Sequence, residues 1–215
     1  NGYAQCQLGY IYYNEPSFYD IHKSMKYLML SSYQNNSEAQ FMLGLIYLQS
    51  EDIPNDINKS INYLTLSAKQ NNSDAQLLLG EIYYSNNYVP KDIKKAIHYF
   101  KEASCLNQNY CKNYLGVIYK NGDGVEKNIA AAIVYFEEAI KINNDDFAIY
   151  NLARIYFFGI DINKNIAKAI DLLENASKTH IFQIEMCLIY IYVIEGNQEK
   201  MNFHHQNVLK TFHLD

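Results

Sequence analysis

The sequence predicts an all-α fold: an α-solenoid of about six antiparallel helix-turn-helix repeats of about 36 residues. Three observations carry this. First, a small residue followed four positions later by Leu-Gly-x-Ile-Tyr recurs along the whole chain. It stands at Ala4/Leu8–Tyr12, Ala39/Leu43–Tyr47, Ala75/Leu79–Tyr83, Cys111/Leu115–Tyr119 and Ala148/Leu152–Tyr156. A degenerate copy follows at Met186–Tyr190, so the leucine position advances by 35, 36, 36, 37 and 34 residues. Second, another motif interleaves with it. This one opens at Asp20, Asp56, Asp92, Asn128 and Asn165, at steps of 36, 36, 36 and 37. Third, apolar and small residues in both motifs fall at i, i+4, i+7 and i+8, the spacing of one helical face. The 215 residues contain 9 Gly and 3 Pro, too few for a sandwich or barrel built from many tight turns.

Each unit therefore reads as helix A, loop, helix B, loop. Repeat one spans 1–34 and starts abruptly, repeat two 35–71 and repeat three 72–107. Repeat four spans 108–143, repeat five 144–179 and a degenerate capping repeat 180–215, all in one repeat domain. Ser37-Glu38-Ala39-Gln40 and Ser73-Asp74-Ala75-Gln76 read as capping boxes that start helix A. Asp20, Asp56, Asp92, Asn128 and Asn165 read as N-caps of helix B. All three prolines, Pro16, Pro54 and Pro90, lie just upstream of those caps, where they do not interrupt a helix. Gly9, Gly44, Gly80 and Gly116 sit inside helix A, where Gly costs about 0.5–1 kcal/mol relative to Ala. Close contact with helix B, opposite Ser24, Ser60, Ala96 and Ala132, is the expected compensation. The apolar stretch Ile181–Ile194 is too short to span a bilayer and reads as a buried core helix.

Composition narrows the function classes. A hydrophobic fraction of 49% excludes a disordered chain, and a net charge of −5 without a basic stripe disfavours nucleic acid. Cys6, Cys105, Cys111 and Cys187 form no C-x-x-C and no disulfide framework, which favours a cytoplasmic location. A Cys105–Cys111 bridge is left open. The chain opens on Asn1-Gly2-Tyr3 without Met, so a truncated or processed parent is expected, with any leader missing. There is no Walker loop, dinucleotide fingerprint, H-E-x-x-H or nucleophile elbow. His204-His205 with His213 reads as a solvated polar tail. Asp145-Asp146 reads as a helix start. Asn121–Asn128 lacks the alternating oxygen ligands and closing Glu of a calcium loop. No metal or cofactor is expected.

The two motifs together resemble the Sel-one-like repeat (SLR), a relative of the tetratricopeptide repeat. Asn121-Gly122-Asp123-Gly124-Val125 matches the family's loop, and Asp92–Ala103 matches its second helix closely. The Gly-x-Gly loop is lost in repeats one to three, and the second helix of repeat six, about Gln198–Phe212, fits poorly. The family's cysteine-rich branch bridges each repeat with a disulfide, and the cysteine spacing here differs from that branch's. The resemblance implies a right-handed superhelix with helix A lining its concave surface. It also implies a non-enzymatic scaffold or adaptor that binds a partner protein or peptide there. Inward positions would be Cys6, Tyr10, Tyr13, Phe41, Leu45, Leu48, Leu77, Glu81, Tyr84, Asn113, Val117, Lys120, Tyr150, Arg154 and Phe157. Of these, Tyr10, Tyr13, Phe41, Leu45, Leu48, Glu81, Tyr84, Lys120, Tyr150, Arg154 and Phe157 are the partner-binding candidates. No Lys/Asn set like that of carboxylate-binding tetratricopeptide relatives is evident. Alternatives are a spacer segment of a longer solenoid, or a β-lactam-binding or -hydrolysing relative.

Ten of the 21 tyrosines fall at motif positions. Tyr12, Tyr47, Tyr83, Tyr119, Tyr156 and Tyr190 lie in helix A, and Tyr27, Tyr63, Tyr99 and Tyr135 in helix B. These are expected to pack between helices, leaving Tyr10, Tyr13, Tyr84 and Tyr150 to touch a partner.

Overall fold

The computed structural model describes residues 1–105, 110–176 and 182–212. The expected repeat boundaries at 107/108 and 179/180, together with His180, Ile181 and His213, lie outside the described residues. Among the described residues all regular structure is helical. The helices are α1 (Gly2–Asn14), α2 (Ile21–Ser32), α3 (Ser37–Gln49), α4 (Ile57–Ala68), α5 (Ser73–Tyr84) and α6 (Ile93–Cys105). They continue as α7 (Tyr110–Asn121), α8 (Ile129–Asn143), α9 (Asp146–Phe158), α10 (Ile166–Ala176), α11 (Phe182–Glu195) and α12 (Gln198–Phe212). Odd-numbered helices are helix A and even-numbered ones helix B. The chain divides into two compact units, Asn1–Cys111 and Lys112–Asp215, with the division at the start of α7. Inside each unit, core clusters join neighbouring hairpins, as in an α-solenoid. One of them, Ile21, Leu28, Ala39, Leu43 and Ile46, spans α2 and α3. Another, Phe136, Ala139, Leu152 and Ile155, spans α8 and α9.

The hairpin closes in the same way every time. The cap residue's N–H donates to the carbonyl of the motif tyrosine: Asp20 to Tyr12 (2.9 Å), Asp56 to Tyr47 (2.9 Å), Asp92 to Tyr83 (2.8 Å), Asn128 to Tyr119 (2.9 Å) and Asn165 to Tyr156 (2.8 Å). Each cap side chain then accepts from the backbone N–H three residues on, in helix B. Above the hairpin the two motif tyrosines stack. Tyr12–Tyr27, Tyr47–Tyr63, Tyr83–Tyr99 and Tyr119–Tyr135 have centroids 5.8, 5.9, 6.0 and 5.6 Å apart. Lys23, Lys59 and Lys95 lie over the first ring of a pair and reach back to the capping aspartate.

These amide bonds, with the lysine charges, hold Asp20, Asp56 and Asp92 below the ordinary carboxylate pKa. A depressed carboxylate stabilises the fold fully above its unfolded pKa of about 3.9 and loses that contribution as pH falls through the folded value. Asp56→Asn is therefore expected to leave the melting midpoint at pH 7 nearly unchanged, since Asn128 and Asn165 cap as well. Its midpoint should fall less than wild type's on acidification below about pH 4. Parallel melting curves at neutral and acid pH check this.

Two expectations about helix A are corrected. The caps of α3 and α5 are Asn36 and Asn72, whose side chains accept from the Ala39 and Ala75 N–H groups, not Ser37 and Ser73. The residue before each, Asn35 and Asn71, sits at φ 60° and 61°, as does Asn144 (φ 52°) before the cap Asp145. An Asn-Asn or Asn-Asp pair thus supplies first a left-handed residue, at the end of α8 or two residues past the caps of α2 and α4, and then the cap of the next helix A. Gln40 and Gln76, released from the capping role, are buried. The second correction concerns the glycines. A Cβ at Gly9, Gly44, Gly80 or Gly116 would meet Leu28, Leu64, Phe100 or Phe136 at 2.5–2.6 Å, so a large side chain fills each notch. The small residues lie one helical turn away, where Ser24 and Ser60 donate to the carbonyls of Gly9 and Gly44 at 2.8 Å.

The register of repeat six also differs from expectation. The Asn197 N–H donates to the carbonyl of Tyr192, and its side chain accepts from the Lys200 N–H. Tyr192, not Tyr190, therefore holds the motif position, and Leu188-Ile189-Tyr190-Ile191-Tyr192 is the sixth copy, with Ile189 in place of glycine. Lys200 lies over the Tyr192 ring and pairs with Glu174. His204 stacks on Tyr192 at 5.7 Å, seven residues after the cap as Tyr27 is. Helix α12 thus repeats the helix-B plan. His204 is no solvated tail residue: it is 4% exposed, with Nδ1 2.7 Å from Glu185 Oε2, itself 1% exposed. His205 is exposed.

Candidate functional site

The candidate positions lie two before, and two and five after, the motif leucine of helix A. In the first unit Tyr10 is exposed, and Tyr13 is half-buried with its ring tilted against Tyr19. Phe41 and Leu45 are half-buried against core clusters. Leu48 is 5% exposed and belongs to the core, so it offers a partner almost no surface. Glu81 and Tyr84 are half-buried, and the Lys91 ammonium lies 4.8 Å from the Tyr84 ring centroid. Cys6 and Cys111 are buried. Burial pushes the Cys111 thiol up to about 12, which keeps it protonated and poorly nucleophilic. The Cys105 and Cys111 thiols are free, with Cys105 exposed.

In the second unit the candidates gather. Tyr150, Arg154 and Phe157 on α9 face Phe182, Met186 and Tyr190 on α11 across a cavity of about 370 Å³, within the range of small ligand clefts. Phe157 is 6% exposed and forms the floor, with its ring edge-on to Phe158 at 4.9 Å and to Tyr190 at 5.9 Å. The Arg154 guanidinium lies over the Tyr150 ring (5.4 Å) and the Phe158 ring (5.9 Å). A second cavity, of about 450 Å³, adjoins it and is lined by Lys120, Asn121, Lys127, Arg154 and Ile160. Asn113 and Val117 are half-buried on α7.

Phe158 and Phe182 are absent from the candidates read from the sequence, and Met186 and Tyr190, expected at motif positions with Tyr190 packed between helices, are exposed instead. In the corrected register Met186 and Tyr190 fall two before and two after the motif leucine, Leu188. The misplaced register concealed them, and so did α11 being apolar all round. That helix buries Ile184, Leu188, Ile191 and Tyr192 and leaves Met186, Tyr190, Val193 and Ile194 exposed, so the buried core helix expected here is buried on one side. Among the described residues no group of three or more His, Cys, Asp or Glu could hold a metal ion. The Cys187 thiol in the cavity wall is raised by burial and so protonated. The cavity presents aromatic surface with a cation at its rim. Among the described residues no helix is long and apolar enough to cross a membrane.

No curated protein matches the chain. Among solved structures, a Sel1 repeat protein from Oxalobacter formigenes is similar at 25% identity and a TM-score of 0.79, covering 98% of this chain and 88% of that one. The protective antigen c5321 of uropathogenic Escherichia coli, which displays an SLR fold, shares the fold at 21% identity and a TM-score of 0.87. The match covers 98% of this chain and 46% of c5321, so the chain spans about half the antigen's length. The Sel1 repeat matches the sequence five times, at residues 2–36, 37–72, 73–108, 110–144 and 146–178. With paired helices, notch glycines and capped hairpins repeating in step, the chain belongs to the Sel1 repeat family.

Proposed function

We propose that this chain is a non-enzymatic scaffold or adaptor that binds a partner protein or peptide on its helix-A surface. Sel1 repeat proteins are generally protein-interaction scaffolds, and the fold is typically non-catalytic. The observation that carries the reading is the aromatic cavity between α9 and α11, with Arg154 at its rim. Aromatic and Arg side chains are the residues that most often anchor protein interfaces. In the first unit, Tyr10 and Tyr84 present further aromatic surface on the same helix-A positions.

The test is affinity capture with the chain as bait, comparing wild type with a Tyr84→Ala/Arg154→Ala variant of the same melting midpoint. Partners recovered by wild type are expected to be lost or strongly depleted with the variant. Equal recovery would place binding elsewhere on the molecule.

A further inference from the structure

The helix-A face of the second unit carries two cations that no carboxylate among the described residues neutralises. Arg154 is exposed, Lys120 is half-buried, and neither forms an ion pair among the described residues. Lys127 beside them is paired with Asp161 at 2.7 Å. The Lys120 ammonium instead donates to Asn151 Oδ1 at 2.7 Å, and Asn151 is itself held by donating to the Phe147 carbonyl at 2.9 Å. Burial and the Arg154 charge push the Lys120 pKa below its ordinary value. In a chain of net charge −5, a half-buried ammonium facing a guanidinium is a local excess of positive charge. An incoming anion would relieve it. The guanidinium lies over the Tyr150 and Phe158 rings, and its fork of N–H groups suits a planar carboxylate acceptor.

Arg154 also borders the apolar cavity, so it joins a basic recess to a greasy one. We propose that these adjoining recesses bind an extended peptide segment in which an acidic residue adjoins a bulky apolar one. The carboxylate lies between Lys120 and Arg154, and the apolar side chain enters the cavity walled by Phe157, Met186 and Tyr190. A nucleic acid does not fit this chemistry, because two cations on an acidic chain would not hold a run of phosphates. The inference rests on the scaffold reading above and adds the partner's chemical class and the place it docks.

The test pans a phage-displayed random heptapeptide library against the folded chain. Enriched peptides are expected to carry Asp or Glu within two positions of Phe, Leu, Ile or Met. A synthetic peptide of the enriched consensus should bind Arg154→Gln about tenfold or more weakly, as should its own Glu→Gln or Asp→Gln analogue on wild type. Arg154 is exposed, so its variant is expected to fold, and an unchanged melting midpoint verifies that. Lys120→Gln provides the second arm. Enriched peptides without an acidic residue, or with unchanged affinity for Arg154→Gln, would overturn this inference and leave the scaffold reading standing. Absence of any enriched peptide would overturn it and remove peptide binding from the scaffold reading too.

Discussion

Phe100→Ala is expected to destabilise the first unit by about 3–5 kcal/mol, the range for truncating a buried Phe. Phe100 has no exposed surface, lies against the notch of Gly80 and meets the Tyr84 ring edge at 6.3 Å. The helices cannot close over the gap, because each hairpin is pinned at its end by the Asp92-to-Tyr83 hydrogen bond and the stacked Tyr83–Tyr99 pair. The cost is therefore lost burial plus a retained cavity. Chemical denaturation followed by circular dichroism measures it. Repeat proteins can unfold in parts, so hydrogen exchange in α5 and α6 should localise the loss. A loss under about 1 kcal/mol would mean that Phe100 is not the anchor of its hairpin.

Gly80→Leu is expected to destabilise by about 1–3 kcal/mol through overpacking. The sign is informative, because two effects oppose each other here. Helix propensity alone favours replacing the glycine, by about 0.5–1 kcal/mol for alanine. Geometry forbids it: a Cβ would stand 2.5 Å from Phe100 Cε1, and a fully buried ring has nowhere to move. Gly80→Ala should thus destabilise as well, less than Gly80→Leu. In a Phe100→Ala background the penalty of Gly80→Ala should disappear, because the atom it strikes is gone. A stabilised Gly80→Ala single variant would show that propensity, not the notch, decides the position.

Much of the architecture was legible in the sequence because it is written several times. A single helical face is an ambiguous signal, but two interleaved motifs at near-constant spacing, each with its cap, are not. The hairpin order, the Asp and Asn caps of helix B and the stacked tyrosine pairs followed from that repetition, whereas Tyr190, expected among the packed tyrosines, is exposed. Where the copies diverge, the reading slipped. Repeat six lacks the glycine, and both Tyr190 and Tyr192 could fill the tyrosine position. The bond from Asn197 to Tyr192, with Lys200 and His204 against the Tyr192 ring, decides between them. The pairs Asn35-Asn36 and Asn71-Asn72 compete in sequence with Ser-x-x-Gln, which is also a good start signal. The choice depends on which residue takes φ near 60°.

The candidate site was legible in part. Counting offsets from the motif leucine led to Tyr150 and Arg154, which do border a cavity, but also to Leu48, which is buried. An offset states which way a side chain leaves its helix, not whether the next repeat covers it. By itself, then, the sequence determined the all-α repeat plan, its period and its hairpin chemistry, because these depend on interactions within about 36 residues that recur along the chain. Only the tertiary structure decided which large side chain fills each glycine notch, that His204 is buried against Glu185, and that α9 and α11 leave an aromatic cavity beside Arg154. Those outcomes depend on how neighbouring helices approach each other. The approach is set by packing between residues of different copies, where the repeat no longer constrains the sequence.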